Sequence, residues 1–171
     1  MNKLSKLFLV SLLISVISTK ADARMAYIPA QLEQFEKTGI CVGCDLSEAS
    51  FYSHSHDNAN LTNSLLVKAD FTYAHFYTSN FSNAQMMYAN FYEFKASGSD
   101  FSSANLTGVN FRNANLSSCN FTGAILNQAD LSYADLARAN ISENQLASAK
   151  SLSCAIMPDG TKHASDPETH C

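Results

Sequence analysis

A strict five-residue period runs from Cys44 to Ser148 and constrains this chain more than any other feature of its sequence. Stepping by five from Leu46 gives 21 positions, of which 19 hold Leu, Phe, Ile or Met; only His56 and Ala96 break the row. Two residues before each of these centres stands Ala, Ser or Cys at 17 of the 21 positions, the exceptions being His54, Phe94, Val109 and Asn144. Asn or Asp commonly precedes the centre, and Ser or Thr commonly follows it. A period of five matches neither the helical repeat nor the plain alternation of a long strand. It fits a chain that turns a corner every five residues.

Alternate side chains of an extended segment share a face, so the small residue and the large centre both point inward. The intervening Asn or Asp points outward, where its side chain can support a turn. If four segments close one coil, centres 20 residues apart lie above one another, and the columns separate by type. One reads Leu46, Leu66, Met86, Leu106, Leu126, Leu146; the next Phe51, Phe71, Phe91, Phe111, Leu131; another Leu61, Phe81, Phe101, Phe121, Ile141. The remaining column, His56, Phe76, Ala96, Leu116, Leu136, is irregular, and Phe94 supplies the volume missing at Ala96 by a swap of large and small slots. Coils stacked at the ~4.8 Å spacing of neighbouring strands would form a solenoid, each contacting only its neighbours.

The tandem A-[DN]-[LF]-[ST]-x units, as in Ala59-Asn60-Leu61-Thr62-Asn63 and Ala129-Asp130-Leu131-Ser132-Tyr133, resemble those of the bacterial pentapeptide-repeat family. The resemblance implies an all-β fold, a right-handed quadrilateral parallel β-helix of about five coils. It implies little about role. The best understood relatives mimic DNA and bind type II topoisomerases in the cytoplasm, which an exported chain would not meet. The tail also resembles the ends of other exported members, where a Cys precedes an M-P-D-G turn and another closes the chain; that likeness implies a disulfide between Cys154 and Cys171.

The flanks divide the chain. Lys3 and Lys6, the apolar stretch Leu7 to Ile17 and the Ala21-Asp22-Ala23 site read as a cleavable signal peptide over residues 1–23. The apolar run is broken by Ser11 and Ser15 and closed by Lys20, short of a membrane span. Residues 24–43 read as an N-terminal cap, with a short helix begun near Pro29 and ended at Gly39. Residues 44–148 are the repeat, and 149–171 a C-terminal cap and tail containing the Met157 to Thr161 turn. Without Lys3, Lys6, Lys20 and Asp22 the mature chain keeps 8 basic and 14 acidic side chains, a net charge of -6. That balance argues against nonspecific nucleic-acid binding, which needs clustered Lys and Arg. Dense acidic columns for DNA mimicry are missing too: the residue before the centre is Asn at eight positions and Asp at five.

Candidate chemistry is sparse. Cys41 and Cys44 have the spacing of redox and half-zinc motifs, but no second pair lies nearby, and Cys44 falls in an inward small slot. Structural cap, disulfide-linked or not, buried thiols, and a metal or redox site stay open for this pair. Cys119 reads as an inert buried thiol. His54 and His56 share the inward direction of one side, whereas His75, one coil later, points outward, so three nitrogens are not expected to converge on a metal. His163 and His170 fall in the tail. No cofactor and no catalytic residues are expected. The favoured reading is a non-enzymatic exported interaction module or structural rod in the periplasm, the envelope or outside the cell, with an unknown protein or glycan as partner. A metal-dependent or redox enzyme at the irregular first coil and a topoisomerase inhibitor are the alternatives. If a binding surface exists, it is expected on the first three coils, where Tyr52, Tyr73, Tyr77, Met87, Tyr88 and Tyr92 occupy outward slots that elsewhere hold small polar groups.

Overall fold

In a computed structural model, residues 27–163 and Cys171 are described; the signal-peptide reading of residues 1–23 and His170 fall outside them. Helix α1, Pro29–Thr38, leads into a parallel solenoid. Its rungs pair residues 20 apart, from Ile40 with Asn60 through Asp70 with Asn90 to Asn120 with Asn140. Four five-residue sides therefore make one coil.

One unit accounts for every backbone N–H and thereby for the sequence pattern. The Ala69 N–H closes the corner on the Leu66 carbonyl at 3.1 Å, and the Asp70 N–H reaches back to Ala49 of the preceding coil at 2.9 Å. The Phe71 and Tyr73 N–H groups donate forward to Asn90 and Tyr92, at 2.7 and 3.0 Å. Only the Thr72 N–H lacks a backbone acceptor, and the Asp70 carboxylate takes it at 3.0 Å. Asn60, Asn80, Asp100, Asn105, Asn115 and Asp130 serve their own units in the same way. The Asn or Asp before the centre is thus spent satisfying a donor that burial would otherwise leave orphaned.

The second residue after the centre takes the left-handed conformation in unit after unit, even where it is Tyr73 at φ 59°, Thr78 at 51° or Arg138 at 61°. Such residues cost roughly 1–2 kcal/mol each, which forward hydrogen bonds such as that of Tyr73 hold in place. These corners also explain why the rungs are isolated bridges with no long strands: each side is too short to carry extended backbone between corners.

Inside, the aromatic columns stack as ladders. Phe51, Phe71 and Phe91 lie face to face with centroids 4.5 and 4.6 Å apart, and Phe81, Phe101 and Phe121 follow at 4.9 and 5.3 Å. The two ladders meet edge to face, as at Phe71 and Phe81, the arrangement that ring quadrupoles favour. Phe94 and Ala96 are both fully buried, and the Phe94 ring packs against Phe71, Phe76, Phe81 and Phe91, filling the volume Ala96 leaves. In the corner slots, the hydroxyls of Ser64, Ser79 and Ser99 donate to the carbonyls of Cys41, His56 and Phe76.

The repeat does not end as its period suggests. Asn144 and Leu146 lie in a second helix, α2, Glu143–Ser148, started by a Ser142–Gln145 capping box in place of a corner. The ladder then resumes with one residue added, pairing Asp130 with Ser151 and Asp135 with Ile156, so the solenoid extends beyond position 148. Among the described residues no helix is long and apolar enough to cross a membrane.

Candidate functional site

Two regions depart from the regular coil: the N-terminal end and one outer side. At the end, α1 begins with Pro29 and stops at Gly39, whose left-handed φ of 67° lets its N–H bond the Phe35 carbonyl. Phe35 is fully buried and extends the ladders by one ring, against Phe51 at 5.5 Å and Phe76 at 6.1 Å. It also covers His56, centroid to centroid 4.7 Å. The helix thus occupies the place of a preceding coil.

The next helical residue, Glu36, lies over the two inward histidines. Its carboxylate oxygens reach His54 Nδ1 at 3.0 Å and His56 Nε2 at 3.1 Å. Convergence, not expected from the repeat alone, is therefore achieved for two of the three histidines, because the third donor comes from the helix. His75 stays apart, its ring beside Tyr77. Cys41 and Cys44 are joined by a disulfide at the junction of helix and first coil.

The outer side over the Phe51 ladder carries a chain of aromatic contacts. Tyr52 meets Tyr73 edge to face at 5.7 Å, and Tyr73 meets Tyr92 at 5.8 Å. Glu93 beside Tyr73, together with partial burial, holds that phenol above its ordinary pKa. Farther along the same side the Arg112 guanidinium lies 5.9 Å from the Tyr133 ring and 3.6 Å from the Asp130 carboxylate. Arg112 was not singled out from the sequence; its place one slot after Phe111, equivalent to Tyr52 and Tyr92, was the available signal. Tyr77, Met87 and Tyr88 occupy the adjoining sides. Tyr88 is 63% exposed. Its ring lies over Gly108, where a Cβ would come within 2.6 Å of it.

The other cysteines serve structure. Cys119 is buried, which pushes its thiol up to about 12, and Cys154 is bonded to Cys171. Two shallow depressions flank α2, one lined by Thr122, Asn140, Ser142 and Gln145, the other by Glu143, Met157 and Asp159. Neither lining pairs a nucleophile with a histidine base.

Comparison with known proteins agrees with this architecture. The models for pentapeptide repeats, in eight copies, and for a pentapeptide repeat region match residues 44–83 and 74–150. Among solved structures, HetL, a pentapeptide repeat protein involved in heterocyst differentiation regulation from the cyanobacterium Nostoc sp. strain PCC 7120, is 27% identical with a TM-score of 0.54. The match covers 72% of this chain and 51% of HetL, so the chain spans about half of that relative's length. Full-length QnrB1, a plasmid-mediated fluoroquinolone resistance protein, is 17% identical at a TM-score of 0.35, covering 64% and 68% of the two chains. A pentapeptide repeat protein of the Arabidopsis thaliana thylakoid lumen is 25% identical at 0.29, covering 66% and 75%. Such proteins fold as right-handed quadrilateral β-helices. No curated protein matches the chain.

Proposed function

Because this chain belongs to the pentapeptide-repeat family, we propose that it is a non-enzymatic, exported interaction module that binds a protein partner through the side bearing Tyr52, Tyr73 and Tyr92. The observation that carries this reading is the run of ring contacts from Tyr52 through Tyr73 to Tyr92, with a separate Arg112–Tyr133 pair farther along the same side. Tyr and Arg are the residues that protein interfaces enrich, since a ring contributes area at small entropic cost and keeps a hydroxyl for bonding. Mutually perpendicular rings, with Glu93 and Arg112 among them, suit a mixed protein surface better than the flat stacking of a sugar. Export is supported by the leader pattern and by two disulfides, which persist in oxidising compartments. DNA mimicry is disfavoured because the outward acids are engaged in their own turns, as Asp70, Asp100 and Asp130 are.

The test is a pull-down from envelope and culture-supernatant fractions with the natural protein and with Tyr52, Tyr73 and Tyr92 all changed to Ser. Ser already occupies the left-handed slot of Tyr73 at Ser53, Ser103 and Ser118, and the slot of Tyr52 and Tyr92, one residue after the centre, at Ser82, Ser102 and Ser132, so the fold should survive. A protein captured specifically by the natural chain and weakened tenfold or more by the triple change supports the proposal. Equal capture by both, or enrichment of glycan alone, overturns it.

A further inference from the structure

The N-terminal end carries a second arrangement, independent of the tyrosine side. In an otherwise apolar or small inward lattice, His54 stands where neighbouring units place Ala49 and Ala59, and His56 stands in the column of Phe76 and Leu116. Two substitutions on the same side of the same coil, both to imidazole, meet one carboxylate from α1. The donor atoms of Glu36, His54 and His56 all lie within 4.8 Å of one another. Glu36 has no Lys or Arg partner among the described residues; Lys37, its neighbour, is engaged with Glu33.

From this geometry we propose that Glu36, His54 and His56 form a binding site for a late first-row divalent cation of the zinc class. Two imidazole nitrogens and one carboxylate oxygen are the donor set that zinc accepts with a further position left for water. Imidazole also selects against Mg²⁺ and Ca²⁺, which favour all-oxygen surroundings. Tetrahedral bonds of about 2.1 Å place donors about 3.4 Å apart, so the present N···O spacings of 3.0 and 3.1 Å need widening by only a few tenths of an ångström. The helix and the coil supply that movement without disturbing the core, since all three side chains are partly exposed, from 16% at His56 to 42% at His54. The same exposure gives the ion a path in. Bound there, it would tie α1 to the first coil beside the Cys41–Cys44 disulfide.

The experiment is titration of the purified, disulfide-intact protein with Zn²⁺ by calorimetry, and with Co²⁺ by visible spectroscopy. One equivalent is expected to bind at micromolar or tighter dissociation constant, with a Co²⁺ spectrum of low coordination number and a rise in Tm that Mg²⁺ does not reproduce. Glu36→Gln, which keeps the helix, and His56→Phe, which restores the apolar type of its column, should each weaken binding at least 100-fold with unchanged circular dichroism. His75→Ala should bind as the natural protein does. Lack of stoichiometric Zn²⁺ binding at millimolar metal overturns the proposal. So does binding that survives both ligand changes, which would place the ion elsewhere.

Discussion

The middle coils and the first coil are built on the same template but fill it differently. From Phe71 to Phe121 each inward slot holds a hydrocarbon or a small group, and the rings repeat at nearly constant spacing. In the first coil two inward slots hold His54 and His56, and the ring that a preceding coil would supply comes from Phe35 of α1. Stacking constrains an interior coil from both faces, so the inward polar groups it accepts are small ones such as Ser79 and Ser99, whose hydroxyls reach the carbonyls of His56 and Phe76. The end coil has one face open, and a helix can bring polar partners to it. Irregularity at the end is therefore chemically usable, whereas irregularity in the middle must be repaired within the core, as Phe94 repairs Ala96.

The largest effect expected from this contrast is at the ladder. Phe91→Ala should lower stability by about 3–5 kcal/mol in urea denaturation, because the ring is fully buried between Phe71 and Phe111. A loss below about 1 kcal/mol would mean that the middle is not the rigid region. Next comes the C-terminal end. Changing Cys154 and Cys171 together to Ser removes a link across 17 residues and should cost up to about 3 kcal/mol. Its signature should be local: amide protection lost around residues 151–163 and retained in the Phe ladders. Uniform loss of protection would contradict the division between ends and middle.

The smallest effect concerns the outward acids. Burial tends to raise the Asp130 pKa, but hydrogen bonds from Ser132 and the nearby Arg112 and Lys150 outweigh it and hold the carboxyl below its ordinary range. A depressed folded pKa means that the ionised form favours folding: the contribution is present above the unfolded value near 3.9 and is lost as pH falls through the folded one. Asp130→Asn should leave neutral-pH stability within about 1 kcal/mol, since Asn makes the same turn bond at Asn60 and Asn105, and should flatten the acid limb of the stability curve. An unchanged acid limb would show that Asp130 does not contribute to it.

Much of this architecture was legible because a five-residue period with fixed inward and outward slots leaves few geometries, and the 20-residue columns test the four-sided one internally. The Phe ladders, the swap at Phe94 and the common side of Tyr52, Tyr73 and Tyr92 all follow from slot position. What the period hides is whatever comes from outside it. Glu36 lies on a helix whose rotation over the first coil is set by the packing of Phe35, which no spacing in the repeat encodes. The end of the repeat was hidden for a related reason: Leu146 fits the centre row by residue type, but Ser142 and Gln145 cap a helix that lifts it out of the coil. Arg112 joins the tyrosine side only once Tyr133 is seen in contact with it.

The central claim is that the middle slots are filled for packing and the first-coil slots for partners. It is tested most directly by comparing urea denaturation of His56→Phe and Phe91→Ala in metal-free buffer. His56→Phe should stay within about 1 kcal/mol of the natural protein, because it gives up one exposed hydrogen bond and keeps a ring against Phe35 and Phe76, while Phe91→Ala loses about 3–5 kcal/mol. Comparable large losses for the two changes would make His56 a packing residue like any other and contradict the account.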